Sequence, residues 1–181
     1  MAHDLARLLQ AATFAANRHR DQCRKDAAAS PYINHPLAVA ELLAANGGMT
    51  DIDLLVAALL HDTVEDTTTS LDEISEQFGD KVRRLVAEVT DDKSLPKMRR
   101  KELQIQSAAH KSTQAQLLKI ADKICNVRDL DADSPVGWDR DRKAHYLDWA
   151  VNVVAGCRGV NPDLERLFDD SITKARQRLG I

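Results

Sequence analysis

Four side chains in this sequence are of the types that bind divalent metal ions, and each lies at or beside a stretch with a helical pattern. His35 precedes a proline, the adjacent pair His61 and Asp62 follows the apolar run 54–60, and Asp122 has apolar neighbours at helical spacing. An ionised carboxylate is costly to bury unless it is paired or bound to a metal. Two imidazoles and two carboxylates form a mixed ligand set that suits Mn²⁺, Fe²⁺ or Zn²⁺. The pattern therefore indicates a metal centre.

An acidic pair, Glu65 and Asp66, follows His61 and Asp62 after two intervening residues. In the best cases a divalent cation lowers the pKa of a bound water from about 15.7 toward about 7. A neighbouring carboxylate can then take up or deliver a proton. The set predicts hydrolysis by a metal-activated water. Spacing alone also allows a surface histidine, a solvated acidic turn and an ion-paired Asp122, so the residues by themselves leave this alternative open.

The hydrophobic pattern predicts an all-α protein of about eight to ten helices that would position these groups. Glycine and proline are scarce, at 7 and 5 residues, which favours helices over turn-rich β structure. The run 54–60 is so apolar that we expect a central, buried helix. Ser70, with Glu73 following, has the form of a capping box, and Asn161 before a proline predicts another helix start. At most one short β-hairpin is expected, around residues 23–32.

Proline also bears on the backbone at His35. A residue before proline is biased away from helical geometry, so we expect His35 to lie just before the second helix. Polar breaks are expected at 90–96 and 131–138, and the last helix should end near Gly180.

Bulk properties restrict the function further. The 181 residues suit one domain, 1–181, and the net charge of −3 argues against a protein that coats nucleic acid. No apolar run approaches the roughly 20 residues of a membrane span. Cys23, Cys125 and Cys157 lack a CxxC spacing, which indicates reduced thiols and a cytoplasmic protein. The oligomeric state is left open.

Several short motifs occur in a fixed order along the chain. They are Arg24-Lys25, Pro31–Pro36, Ala58–Thr67, Phe78-Gly79, Val89–Lys93, Lys119–Lys123, Gly137-Trp138 and 146–159. Together they resemble the hydrolase domain of the RelA/SpoT family. The compact form is similar to the single-domain small alarmone hydrolases of the metazoan SpoT-homologue type, and the likeness covers nearly the whole chain.

This resemblance implies a helical bundle of the HD-domain type that hydrolyses the 3′-pyrophosphate of ppGpp or pppGpp with Mn²⁺. The products would be GDP or GTP and pyrophosphate, so the partner is a small-molecule nucleotide. Residue by residue, the resemblance assigns four metal ligands, His35, His61, Asp62 and Asp122. It assigns Glu65 and Asp66 to the catalytic acidic pair.

A further set of residues would bind the nucleotide: Arg24, Lys25, Lys97, Asn126, Arg142 and Tyr146. Arg24 matches the family's base-stacking arginine, and Lys25 can meet a phosphate. Asn126 lies four residues after Asp122, on the same helix face, and could reach the sugar or base. The remaining three either match family pocket residues or supply the cations that a polyanionic substrate needs.

Two alternatives remain open at this point. A pocket for a phosphorylated purine ribose could accept NADPH, making the protein a 2′-phosphatase, and deoxynucleotide hydrolysis is a further option. The protein could instead be a non-catalytic nucleotide-binding regulator. The presence of Glu65 and Asp66 argues against a regulator, because binding alone does not require them.

Overall fold

Helices are the regular secondary structure of the chain in its computed structural model, which describes residues 2–132 and 134–181. Within these residues there is no extended strand, and the all-α prediction is confirmed. The helices are α1 (Ala2–Arg18), α2 (Asn34–Ala45), α3 (Ile52–Leu60), α4 (Thr63–Asp66), α5 (Leu71–Phe78), α6 (Asp80–Val89), α7 (Lys97–Ser107), a 3₁₀ turn (Ala108–His110), α8 (Thr113–Ala132), α9 (Arg140–Ala155) and α10 (Pro162–Leu179). The possible hairpin reduces to one antiparallel bridge between Cys23 and Pro31.

Side-chain caps fix several helix starts, two of them at the predicted residues Ser70 and Asn161. The Asp51 carboxylate accepts the backbone N–H of Asp53 at 2.9 Å, at the start of α3. The Ser70 hydroxyl accepts the N–H of Glu73 before α5, and the Asn161 side chain caps α10. Caps of this kind satisfy backbone donors that have no partner within the helix. Helix α8 continues through Ala132, so residues 131 and 132 of the break predicted at 131–138 are helical.

The expectation that His35 lies just before the second helix is wrong. Helix α2 begins at Asn34, which places His35 inside the first turn instead of before it. The His35 N–H donates to the Tyr32 carbonyl at 3.0 Å, and the Leu37 N–H donates to the Ile33 carbonyl at 3.2 Å. Pro36 is tolerated here because N–H groups of a first turn have no acceptor within the helix. The helical start therefore outweighs the local bias against helix before proline.

Packing divides the helices into two compact units. The first comprises residues 2–23 and 31–93 and holds α1–α6. Helix α3 is its centre, as predicted, because every residue from Leu54 to Leu60 is buried. Helices α1, α2 and α6 pack around it.

The second unit comprises residues 24–30 and 94–181. Helix α8 packs against α9 and α10, and α7 packs against α9. The α8 core face includes Leu118, Ile120 and Ile124, each at most 1% exposed. That the chain behaves as a single domain stays a prediction.

Two further expectations concern membrane spans and the cysteines. None of the helices in the described residues combines the length and apolar character that a bilayer span requires. All three cysteines are free thiols. Cys125 and Cys157 are buried packing residues, whereas Cys23 is exposed.

Candidate metal and catalytic site

Three of the four predicted metal ligands meet in the first unit. His35 comes from the first turn of α2, and His61 and Asp62 directly follow α3. One ligand atom from each of the three lies within 4.8 Å of the others. His61 Nε2 is 3.2 Å from Asp62 Oδ1, and His35 Nε2 is 3.9 Å from Asp62 Oδ2. Both imidazoles are buried, at 4% and 6% exposure, and buried polar groups of this kind need partners.

The His61 ring is held in the form that a metal requires. Its Nδ1 lies 2.7 Å from the Ala58 carbonyl oxygen. Because a carbonyl can only accept, Nδ1 carries a proton, and in the neutral ring Nε2 then presents its lone pair to the cluster. A backbone carbonyl that orients a ligating histidine in this way is a common feature of metal sites. These residues fit a divalent metal ion, the cofactor of HD hydrolases.

The acidic pair lies beside this cluster on the short helix α4, and both side chains are half-buried. The Glu65 carboxylate accepts the backbone N–H of Asp91 at 3.0 Å. Burial raises the pKa of Glu65, and the negative charges of Asp91, Asp62 and Asp66 raise it further, against the lowering effect of that hydrogen bond. A carboxyl group with a raised pKa is suited to exchange a proton nearer neutral pH.

Asp66 is held at three points. Its backbone carbonyl accepts the Gln22 side-chain amide at 2.6 Å. Its Oδ1 is ion-paired with Lys93, and its Oδ2 lies 3.1 Å from the Tyr32 hydroxyl. The same hydroxyl is 2.7 Å from Asp62 Oδ2. Sequence reasoning missed Tyr32 and Lys93, although both lie within motifs that carried the family resemblance.

Asp122, the fourth predicted ligand, lies in the second unit on α8 and is 9% exposed. Its Oδ2 accepts a hydrogen bond from Lys123 Nζ at 2.7 Å, and its Oδ1 accepts one from the Asn126 amide at 2.5 Å. The structure thus supplies protein partners for a buried carboxylate whose burial alone had suggested a metal. The role of Asp122 as a ligand stays a prediction.

Arg24 and Asn126, two of the predicted nucleotide-binding residues, contact each other. Arg24 donates to Asn126 Oδ1 at 3.1 Å and to Asp129 Oδ2 at 2.5 Å. Asn126 therefore joins Arg24 to Asp122 through the two ends of one amide. Lys25 is exposed, and its carbonyl oxygen accepts the Val136 N–H at 2.9 Å.

Trp138, Tyr146 and Trp149 form an aromatic row on and just before α9. Arg142 packs against this row. The Arg142 guanidinium lies 4.4 Å from the centre of the Trp138 ring. Tyr146 contacts Trp138 and Trp149, with ring centres 5.7 and 5.3 Å away. Burial raises the pKa of Tyr146 to about 12, so its phenol remains protonated at neutral pH.

Cations surround this aromatic row. The ammonium groups of Lys101 and Lys123 lie 4.6 and 4.7 Å from the centre of the Trp149 ring. Burial lowers the pKa of Lys101, and the positive charges of Lys97, Lys123 and Arg142 lower it further. Mutually repelling cations of this kind are relieved by an anion such as a phosphate. Lys101, Lys123 and the tryptophans were not predicted as site residues, because their clustering depends on how α7, α8 and α9 pack.

Comparison with known proteins places this site in a class. The HD domain model matches residues 11–147, and the chain belongs to the HD domain family. Among its relatives is the guanosine-3′,5′-bis(diphosphate) 3′-pyrophosphohydrolase MESH1 of Homo sapiens, which is 55% identical over 91% of this chain and 92% of its own length. The Drosophila melanogaster protein of the same name is 46% identical over 91% and 92% of the two chains.

A solved structure agrees with these relatives. It is described as a metazoan ortholog of SpoT that hydrolyses ppGpp and has a role in starvation responses. It superimposes with a TM-score of 0.91 at 46% identity and covers 96% of both chains. The resemblance to RelA/SpoT-type hydrolases, and to their small single-domain form, is therefore confirmed.

Proposed function

We propose that this protein is a metal-dependent phosphohydrolase that removes the 3′-pyrophosphate of ppGpp and pppGpp, giving GDP or GTP and pyrophosphate. The observation that carries the proposal is the grouping of His35, His61 and Asp62, with the half-buried Glu65 and Asp66 beside them on α4. The substrate is proposed from the activity for which relatives with 55% and 46% identity over 91% of the chain are named.

The metal would be held by His35, His61 and Asp62, with Asp122 as the proposed fourth ligand. Mn²⁺ is the proposed ion, and this ligand set also suits Zn²⁺ or Fe²⁺. When bound, such an ion supplies a Lewis acid that polarises a phosphoryl oxygen and makes water more acidic.

The acidic pair would handle protons. Glu65, with its raised pKa, is suited to hold a proton and to pass it on at a carboxylate oxygen. Asp66, fixed at its carbonyl and at both carboxylate oxygens, is suited to orient the attacking water. We propose that the two act together in these proton transfers.

The nucleotide would be bound by Arg24, Lys25, Lys97, Asn126, Arg142 and Tyr146. Arg142 and Lys97 contribute to the cation cluster around the aromatic row, which suits the diphosphate groups. Arg24, held by Asn126 and Asp129, presents a planar guanidinium suited to stacking on a purine. We also propose that the protein acts in the cytoplasm, in keeping with its free thiols.

The test is a pair of steady-state assays on the same Mn²⁺-loaded sample. One follows pyrophosphate release from ppGpp, and the other follows phosphate release from NADPH. We expect kcat/KM to be higher for ppGpp. A value for NADPH at or above that for ppGpp would assign the protein as a 2′-phosphatase. Binding of ppGpp with no pyrophosphate released would assign it as a regulator.

A further inference from the structure

We propose that Tyr32 is a positioning residue that couples the metal-binding carboxylate Asp62 to the catalytic carboxylate Asp66. The inference rests on the proposed function for the role of Asp66, but the contacts themselves lie within one compact unit. The Tyr32 hydroxyl lies 2.7 Å from Asp62 Oδ2 and 3.1 Å from Asp66 Oδ2. A single hydroxyl therefore lies within hydrogen-bond distance of both carboxylates.

This placement addresses two physical problems. Two carboxylates that face the same hydroxyl donor repel each other, and its single proton, lying between them, reduces the repulsion. Asp62 must also keep one rotation, because its Oδ1 faces His61 and its Oδ2 faces His35. A hydrogen bond from Tyr32 to Oδ2 fixes that rotation. Partners that orient a metal ligand in this way typically change metal affinity or activity by about 10–100-fold when lost.

The rest of the unit holds Tyr32 rigidly. Its ring stacks on the buried ring of His19, with centres 4.7 Å apart and planes at 27°. Its backbone N–H donates to the Gln22 carbonyl at 3.0 Å. Gln22 in turn donates to the Asp66 carbonyl and lies 2.8 Å from His19 Nδ1. The chain after α1 thus holds Asp66 at its backbone through Gln22 and at its side chain through Tyr32.

The variant Tyr32→Phe removes the hydroxyl and keeps the ring that stacks on His19. We expect the affinity of the metal-free protein for Mn²⁺, measured by calorimetry, to fall about 10-fold or more. At saturating Mn²⁺ we expect kcat for ppGpp to fall by a similar factor while KM stays within about twofold, since the charges of both carboxylates remain. The midpoint of thermal unfolding without metal should fall modestly, because Asp62 and Asp66 lose the hydroxyl proton that reduces their repulsion.

Ser171→Ala is the matched control. It deletes a hydroxyl on α10 that donates to the Leu167 carbonyl at 2.8 Å, in the other unit, so it reports what hydroxyl loss alone does. We expect its Mn²⁺ affinity and kcat to equal those of the parent protein. If Tyr32→Phe behaves like this control in both measurements, the proposal is overturned.

The two measurements separate the proposals. If the parent protein does not hydrolyse ppGpp, the proposed function fails, yet Mn²⁺ affinity still tests the contact between Tyr32 and Asp62. A second measurement uses the parent protein and does not require Tyr32→Phe to fold. The sequence has only two tyrosines, Tyr32 and Tyr146, so fluorotyrosine labelling gives two ¹⁹F resonances, and Tyr146→Phe identifies the one from Tyr32. That resonance should shift on addition of one equivalent of Zn²⁺, and an unchanged resonance in a protein that binds Zn²⁺ would overturn the inference.

Discussion

Replacing Glu65 by Gln tests two effects of this carboxyl group, its contribution to catalysis and its effect on the stability of the folded protein. The side chain is half-buried, accepts the Asp91 N–H at 3.0 Å and has a raised pKa. Glutamine has the same shape, and its amide oxygen can accept the same hydrogen bond. The substitution therefore removes one charge and the ability to exchange a proton while leaving the packing intact.

The expected loss of activity follows from the chemistry of that proton. General acid–base catalysis contributes about 10²–10⁴-fold, which corresponds to about 3–5 kcal/mol of barrier. We expect Glu65→Gln to lower kcat for pyrophosphate release from ppGpp by a factor within this range. Mn²⁺ affinity should change far less, because Glu65 is not among the proposed ligands.

Whereas Glu65→Gln should lower kcat, it should raise the stability of the metal-free protein. A carboxyl group whose pKa is raised on folding binds its proton more tightly in the folded state. Wild-type stability should therefore fall as the pH rises from the ordinary carboxyl pKa of about 4.3 through the raised value. Glu65→Gln escapes this loss, so it should be more stable than the parent at neutral pH, and the difference should vanish near pH about 4.

The assay is thermal unfolding followed by circular dichroism in the presence of a chelator, together with steady-state kinetics in Mn²⁺. Glu41→Gln, at an exposed position on α2, is the control for loss of one charge. A Glu65→Gln protein that keeps more than half of the parent kcat would refute the proton-transfer role. A metal-free variant less stable than the parent at neutral pH would refute the argument from burial and repulsion.

Three other predictions follow from the same geometry. Asp66→Ala should still bind ppGpp in calorimetry while turnover falls about 10²-fold or more, and retained turnover would contradict its role. Asp51→Ala removes the cap of α3 and should cost about 0.5–2 kcal/mol in chemical unfolding, and no change would show that Asp51 contributes little as a cap. Removing the metal with a chelator should lower the unfolding midpoint, because a ligand present at about 100 times its Kd stabilises the folded protein by about 2.7 kcal/mol. The variant Asp62→Asn should lose that response to the chelator. An equal response in the variant and the parent would exclude Asp62 as a ligand.

The features that the sequence predicted well are those set by neighbours along the chain. Ser70 and Asn161 cap the helices that they were expected to cap, because a cap bonds backbone groups two or three residues away. The buried helix at 54–60 follows from an uninterrupted apolar run, and the all-α class follows from many such local patterns.

The features that it did not predict depend on residues far apart in the chain. Tyr32 lies near Asp62 and Asp66 only because α2 packs against α3, and no local pattern encodes that contact. Asn126 was expected to reach the substrate, yet its amide also binds Asp122 and Arg24, and the contact with Arg24 spans 102 positions of sequence. His35 shows the converse case, since a real local bias before proline yields to hydrogen bonds that start the helix.

The aromatic row gives one unit of this protein an intrinsic fluorescence signal. Both tryptophans of the sequence, Trp138 and Trp149, lie in the second unit, and each has a cation against its ring. Indole emission is sensitive to nearby charge, so intrinsic fluorescence should respond when an anion settles among Lys101, Lys123 and Arg142. The first unit contains no tryptophan. A change in emission on adding metal alone would therefore report an effect of the metal in the second unit, where the proposed fourth ligand Asp122 and the neighbouring Lys123 both lie.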